Sequence, residues 1–216
     1  MDNMIYILLV SIAIPLLLMT LLVEKKARLP IAFMLIGIFV SVFASEVNGL
    51  LSKMLSMDLY SITVIVTPVT EEVLKALPLL YYALVISDKR ERLFTASMSI
   101  GIGFAVLENA YFLLNSDHFT ILSAVVRAFG TGLMHGMCTL LVGTGISFVK
   151  KKRKLFAVGT FGLLSTAIVY HGVYNILIQS QYSIVGALLP IATYIPFFVW
   201  RLRIKGGVAS TKNTVL

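Results

Sequence analysis

The sequence predicts an all-α, polytopic membrane protein, a bundle of about seven transmembrane helices with the N-terminus outside and the C-terminus in the cytoplasm. Hydrophobic residues make up 58% of the 216 residues and charged residues only 13%, which is not the composition of a water-soluble domain. The apolar residues also fall into runs of about 20, the length that crosses roughly 30 Å of hydrocarbon. These runs give seven candidate segments: 3–23, 29–51, 60–86, 93–115, 119–149, 155–179 and 183–204.

The distribution of basic residues predicts the orientation. They lie between the first and second, third and fourth, and fifth and sixth segments and after the seventh: Lys25, Lys26, Arg28, Lys89, Arg90, Arg92, Lys150, Lys151, Lys152, Arg153, Lys154, Arg201, Arg203, Lys205 and Lys212. Connections on the other side are nearly bare, with Lys53 the only clear basic residue. Because positive residues stay in the cytoplasm, the N-terminus is expected to face out.

Each segment has a distinct expectation. The first lacks a basic leader and a small-residue cleavage site, so we expect a retained helix. The third and fifth are longer than a span requires, so a tilt, a kink or an interfacial turn is expected there. Pro68 and Pro78 in the third segment each lack an amide donor, and a kink at either would open the bundle beside that helix.

The chain is expected to form one integral-membrane helical domain over residues 1–205, with a disordered cytoplasmic tail over 206–216. The net charge of +8 is spread along membrane edges without groove-lining aromatic residues. We therefore expect anionic lipid headgroups as partners on the cytoplasmic side, and no nucleic acid. The single cysteine, Cys138, lies within a span, which excludes an internal disulfide and argues against a thiolate metal cluster.

Ionisable residues inside the apolar segments indicate an intramembrane polar site. They lie on four segments: Glu71, Glu72 and Lys75 on the third, Glu108 on the fourth, His135 on the fifth and His171 on the sixth. A lone charge at the middle of a spanning helix costs about 2.5–3.5 kcal/mol on insertion scales. Several charges together must therefore neutralise or pair with one another.

Spacing places these residues on shared helix faces. Either Glu71 or Glu72 can face Lys75, because side chains three or four residues apart are neighbours on a helix. His171 and Asn175 share a face of the sixth segment in the same way. With the predicted orientation and a rise of about 1.5 Å per residue, one cluster in the outer half of the bilayer is feasible.

Four motifs in order along residues 60–180 resemble the PrsW family of intramembrane proteases: EEVLK, GFAVLENAYF, the fifth-segment His135 and HGVYN. That family is similar to the CAAX prenyl endopeptidases of the CPBP superfamily, to bacteriocin-processing enzymes and to the scaffold subunit of gamma-secretase. PrsW members often carry Asp at the position of Asn175, and Asn at this position is more like the CAAX relatives. Lys75 and Glu108 follow PrsW, since the CAAX relatives carry Arg and His there.

The resemblance implies a glutamic intramembrane endopeptidase of the cell membrane that needs no cofactor. Its substrate would be a single-pass membrane protein, such as an anti-sigma factor, cut near the outer side of the bilayer. The implied site residues are Glu71, Glu72, Lys75, Glu108, His135, His171 and Asn175.

The roles that the resemblance implies are those of general acid–base catalysis. Glu71 or Glu72, helped by Glu108 or His135, would take a proton from the attacking water and return it to the leaving amine. Hydrogen bonds from His171 and Asn175 would stabilise the oxyanion. Zinc held by His135, His171 and a glutamate is the alternative, because the ligand types fit although HExxH is absent.

Other functions of the protein, and purely structural roles for the ionisable residues, remain open at this point. A catalytically silent scaffold of the same superfamily is one alternative, and an ion- or proton-coupled transporter is another, disfavoured because no inverted repeat is visible. Glu71 and Lys75 could simply neutralise one another, and His135 could be a core histidine. Glu46 and Arg127, near outer helix ends, are expected to anchor at the interface or to form a mutual salt bridge.

Overall fold

The computed structural model describes residues 3–115, 120–150 and 152–212, and this part of the chain is helical with short connections and no strand. Its helices coincide with the seven apolar runs: α1 (Met4–Leu22), α2 (Lys25–Leu55), α3 (59–86), α4 (Arg90–Leu114), α5 (Ile121–Ile146), α6 (Arg153–Ile178) and α7 (Ser183–Lys212). The prediction of an all-α chain is confirmed.

Five helices are long and apolar enough to cross a membrane, namely α1, α2, α4, α5 and α6. The apolar stretch of α7, Ser183–Val199, is shorter than these five, and α3 is divided by changes in helical geometry. Seven spans, and the side on which each terminus lies, therefore stay predictions.

Two wide turns interrupt α3. Its segments are Leu59–Ser61, a π-helical turn at Ile62–Val66, an α-helix at Thr67–Tyr81 and a second π-helical turn at Tyr82–Ile86. The first wide turn directly precedes Pro68, which has no amide hydrogen to give to the carbonyl four residues earlier. The irregularity expected from the prolines and the length of this segment is thus present, as changes of helical pitch.

Helix α4 lies at the centre of the bundle between α2 and α5. A Cβ added to Gly103 would strike the backbone of Met34 on α2, and one added to Gly101 would strike the carbonyl of His135 on α5. Only glycine allows such close approach of two helix backbones. The approach fixes the position of His135 relative to α4.

Not every glycine of the middle helices has this role. A Cβ at Gly132, Gly159 or Gly162 would meet no described atom within 4 Å. Gly37 on α2, by contrast, lies against the Ile100 backbone of α4.

Some sequence predictions fall at the edges of the described chain. Helix α7 extends to Lys212, while 213–216 of the expected tail lie outside the described residues. Phe119, the expected start of the fifth segment, and Lys151 lie outside them as well. The disordered tail stays a prediction.

Candidate active site

The structure brings six of the seven predicted site residues into one cluster inside the bundle. They come from four helices: Glu71, Glu72 and Lys75 on α3, Glu108 on α4, His135 on α5 and His171 on α6. These helices pack around the central α4 and a shared apolar core. The pairing of Glu72 with Lys75 that the spacing of the third segment allowed is present in the structure.

The interior of the cluster is formed by Glu72, Lys75 and His135, whose residues are all 0% exposed. Lys75 Nζ lies 2.6 Å from Glu72 Oε1 and 2.8 Å from His135 Nδ1. An ammonium group can only donate, so Nδ1 of His135 accepts and the ring carries its proton on Nε2. That Nε2–H donates to Glu108 Oε2 at 2.5 Å.

His171 joins the interior to a second carboxylate. Its Nδ1 lies 2.9 Å from Glu72 Oε1, so Nδ1 donates and Nε2 is left with a lone pair. That lone pair faces Glu71 Oε2 at 4.0 Å. Glu71 Oε2 is buried and has no hydrogen-bond partner among the described residues. Two acceptors thus face one another without a donor between them, so a shared proton, a bridging water molecule or a cation would satisfy both.

A cavity of about 300 Å³ reaches two carboxylates of the cluster. It lies between α1, α2, α3 and α4 and is lined by Ile5, Ser41, Ser45, Asn48, Gly49, Ser52, Leu59, Ile62, Thr63, Thr67, Glu71, Phe104, Leu107, Glu108 and Tyr111. We call Glu71 and Glu108 the cavity edge. The cavity is where a substrate and water can meet the cluster.

The contacts form a path with both ends at the cavity. From Glu71 it runs through His171 and Glu72 to Lys75, and from there through His135 to Glu108. Glu71 and Glu108 are therefore two carboxylates at one cavity, joined behind it by buried groups that can donate and accept protons.

Asn175 is the predicted site residue that the structure places outside this path. Its Nδ2 donates to the Thr63 carbonyl at 3.0 Å. Thr63 belongs to the first wide turn of α3. Asn175 therefore ties α6 to the irregular part of α3, and its predicted part in oxyanion stabilisation stays a prediction.

Of the two alternatives expected for Glu46 and Arg127, the mutual salt bridge is wrong, because each has another partner among the described residues. Glu46 accepts a hydrogen bond from the Tyr6 hydroxyl at 2.6 Å. Arg127 Nη2 instead lies 3.5 Å from Glu108 Oε1, and its guanidinium is 3.6 Å from the centre of the Phe112 ring. Arg127 precedes His135 on α5 by about two helical turns, and both side chains reach Glu108.

Sequence reasoning also missed a row of polar residues on α2. Ser41, Ser45, Asn48 and Ser52 all line the cavity. Their spacing of four, three and four residues is that of one helix face. Such a row inside an otherwise apolar span was a readable pattern, and we call these four residues the α2 polar face.

The cluster also offers a donor set for a metal ion. One ligand atom from each of Glu71, His135 and His171 lies within 4.8 Å of the others, and two imidazoles with a carboxylate are a common set for catalytic zinc. The facing lone pairs of Glu71 Oε2 and His171 Nε2 fit this use, and Glu72 on the other nitrogen of His171 is the kind of partner that orients a ligating ring. His135 would exchange one of its two present hydrogen bonds. The residues fit a divalent cation.

Comparison with known proteins gives one match. The family model described as PrsW family intramembrane metalloprotease matches residues 25–201, which include every residue of the cluster. Neither the curated proteins nor the solved structures gave a match.

Proposed function

Because the chain belongs to the PrsW family, it is an intramembrane protease and a multi-pass membrane protein, and we propose that it hydrolyses its substrate at the cavity edge formed by Glu71 and Glu108. The observation that carries this proposal is the buried, unpartnered Oε2 of Glu71, which faces the free Nε2 of His171 at 4.0 Å beside the cavity. A water molecule there can donate to both acceptors and direct its own lone pair at a carbonyl carbon.

Glu71, and not its neighbour Glu72, is the proposed base. Glu71 lines the cavity, whereas Glu72 is fully buried and its Oε1 is held by both Lys75 and His171. In the hydrolytic step the water oxygen bonds to the carbonyl carbon and its proton passes to Glu71 or to His171 Nε2. The carbon–nitrogen bond then breaks, and the leaving amine takes that proton. Glu72 orients the His171 ring throughout.

The opposite side of the cavity supplies polar groups near Glu108. His135 Nε2–H and Arg127 both contact the Glu108 carboxylate, so its position is fixed from two sides. The Glu108 side chain is 34% exposed and lines the cavity, and it is the second group proposed to exchange a proton with substrate. His171 protonated on Nε2 would donate to the oxyanion, with Asn175 holding its helix against α3.

A divalent cation, where present, would be held by Glu71, His135 and His171 and would supply Lewis-acid polarisation of the scissile carbonyl and activation of water. The hydrogen bond from His171 Nδ1 to Glu72 serves that form equally, because it fixes the ring in the same orientation.

The position of the cavity supports cleavage near the outer side of the bilayer. Its lining residues belong to the C-terminal parts of α2 and α4 and the N-terminal part of α3. The basic residues that predict the cytoplasmic side lie at the opposite ends of these helices. A single-pass regulator anchored in the same membrane, such as an anti-sigma factor, is the proposed substrate class.

The test is cleavage by the purified protein in liposomes. The substrate is a synthetic single-pass peptide with a flexible Gly-Ser segment where the peptide leaves the bilayer on its outer side. When cleavage is run in oxygen-18 water, mass spectrometry should find one oxygen-18 atom in the new carboxyl group. Glu71→Ala should abolish cleavage. Glu46→Ala, which removes a carboxylate away from the cavity, should not. Cleavage that persists in Glu71→Ala would remove the proposed site. Loss of activity with a chelator and recovery with zinc would select the metal form, and activity that resists chelation would select the glutamic form.

A further inference from the structure

We propose that the α2 polar face, Ser41, Ser45, Asn48 and Ser52, is a binding site for the main chain of an unwound substrate segment, which it holds in extended form next to Glu71. The inference rests on the proposed protease function and adds how substrate is held. Nothing in the family match assigns a role to α2.

The hydroxyls of this face differ from other hydroxyls on the helices. Thr20, Ser97, Thr139, Thr144 and Thr166 each donate to the backbone carbonyl four residues earlier. This is the usual way in which a hydroxyl on an apolar helix is satisfied.

The serines of the α2 polar face are not satisfied in this way. Within the described residues, the side-chain hydroxyls of Ser41, Ser45 and Ser52 make no hydrogen bond. Three free hydroxyls on one face of one helix are thus available to a ligand in the cavity.

Burial gives a second and independent observation. Ser41 is only 6% exposed and Glu71 only 7% exposed, and both line the cavity. Glu71 Oε2 also lacks a partner among the described residues. A polar group buried without a partner is costly, so the buried residues Ser41 and Glu71 favour an occupant that donates and accepts hydrogen bonds, while Ser45 is exposed and Ser52 partly exposed, which leaves this face accessible to it.

The dimensions suit a short extended peptide. From Ser41 to Ser52 the helix rises about 16 Å at 1.5 Å per residue. An extended chain covers that length in about five residues at roughly 3.3 Å each. A cavity of about 300 Å³ lies at the lower end of the range for small binding sites, which suits a few residues and not a folded helix.

The chemistry of the wall points to the main chain as its target. A segment that unwinds inside a bilayer exposes amide and carbonyl groups that have no water to bond. Serine hydroxyls both donate and accept, so they can satisfy either group irrespective of the side chain. Asn48 contacts the Thr70 hydroxyl, which joins this wall to α3 directly before Glu71. A chain held along the wall therefore passes the proposed base.

The experiment measures protection of single cysteines. Ser45→Cys and Ser52→Cys are made in a Cys138→Ala background, with and without Glu71→Gln, and are labelled in nanodiscs with a water-soluble maleimide. One probe is a synthetic Leu-Ala membrane helix with a Gly-Ser segment at its outer border, and the second is the same helix without that segment. Lys53→Cys, exposed beside Ser52 but outside the cavity, is the control.

We expect the Gly-Ser probe to slow labelling of both cavity cysteines at least tenfold and to leave Lys53→Cys unaffected. Ser45→Ala is combined with Ser52→Cys, and Ser52→Ala with Ser45→Cys, so that the cysteine reports on binding in each case. Each alanine substitution should weaken protection about threefold to tenfold, the effect of one lost hydrogen bond. Thr166→Val, which removes a hydroxyl already satisfied within α6, should not change it.

The inference would be overturned if the uninterrupted helix protected equally well or if neither probe protected. It would also be overturned if the alanine variants showed unchanged protection. Protection does not depend on turnover. Protection without peptide cleavage by the wild-type protein would therefore overturn the proposed function alone, and cleavage without protection would overturn this inference alone.

Discussion

The interior of the cluster and its cavity edge both contain a glutamate from α3, but in different environments. In the interior, Glu72 lies beside Lys75 at 2.6 Å and away from the cavity. At the edge, Glu71 has no hydrogen bond from any described residue and lines the cavity. Adjacent glutamates therefore have different consequences, because a paired buried carboxylate supports the structure while a free one at a cavity can accept a proton.

Lys75→Met tests the interior with the largest expected effect. Removing the ammonium leaves Glu72 buried without its cation, which should lower the free energy of unfolding by about 3–5 kcal/mol. The double variant Glu72→Gln/Lys75→Met should recover most of that loss, because no uncompensated charge remains. Unfolding in mixed micelles measures both. A single variant as stable as the wild type would show that the pair is not a structural unit.

His171→Asn separates the two regions within one residue. An asparagine amide can approximate the Nδ1 donor to Glu72 but places nothing at Nε2, so the interior contact is kept and the group facing Glu71 is lost. Peptide cleavage should fall by about 10²–10⁴ with little change in the unfolding midpoint. His171→Gln, whose amide reaches towards the Nε2 position, is the matched comparison. Full activity in His171→Asn would contradict a role for Nε2.

Gly101→Ala tests whether packing fixes the interior. Its Cβ would meet the His135 carbonyl, so α4 and α5 must separate at a cost of about 1–3 kcal/mol. Gly132→Ala, on α5 with open space around it, should be neutral or slightly stabilising. Thermal unfolding of the two variants gives the comparison, and equal stability would show that the close approach is not required.

Arg127→Gln should have the smallest effect. It removes the cation near Glu108 but leaves the hydrogen bond from His135, so cleavage should fall only about tenfold and folding should persist. Arg127→Lys keeps the charge and should recover part of the rate, as measured by initial rates on the same peptide. Wild-type activity in Arg127→Gln would return Arg127 to the interfacial role expected from sequence.

Much of the fold could be predicted because its cause is local. Length and apolarity are properties of each segment, so the seven runs agree with the helices to within a few residues, except that the last helix continues from 204 to Lys212. Pro68 predicted that α3 would be irregular, but it did not predict π-helical turns, because helical pitch also depends on packing. The close contact of Gly37 with α4 depends on which helices are neighbours, and that information is absent from any single segment.

The site divides in the same way. Charges too costly to leave alone in lipid had to meet, which is why Glu72, Lys75 and His171 could be grouped from sequence. The partner of Arg127 could not be chosen, because Glu46 and Glu108 are both carboxylates within its predicted reach and only tertiary packing separates them. Division of labour between Glu71 and Glu72 likewise depends on which helix face borders the cavity.

The most direct measurement compares Glu71→Gln with Glu72→Gln for peptide cleavage and unfolding in one preparation. If the cavity edge performs the chemistry, Glu71→Gln loses at least about 10²-fold in kcat/KM while its free energy of unfolding is retained, and Glu72→Gln loses stability because the buried Lys75 ammonium loses the carboxylate that neutralises it. A Glu71→Gln protein that cleaves at the wild-type rate, beside a fully stable and inactive Glu72→Gln protein, would contradict the assignment.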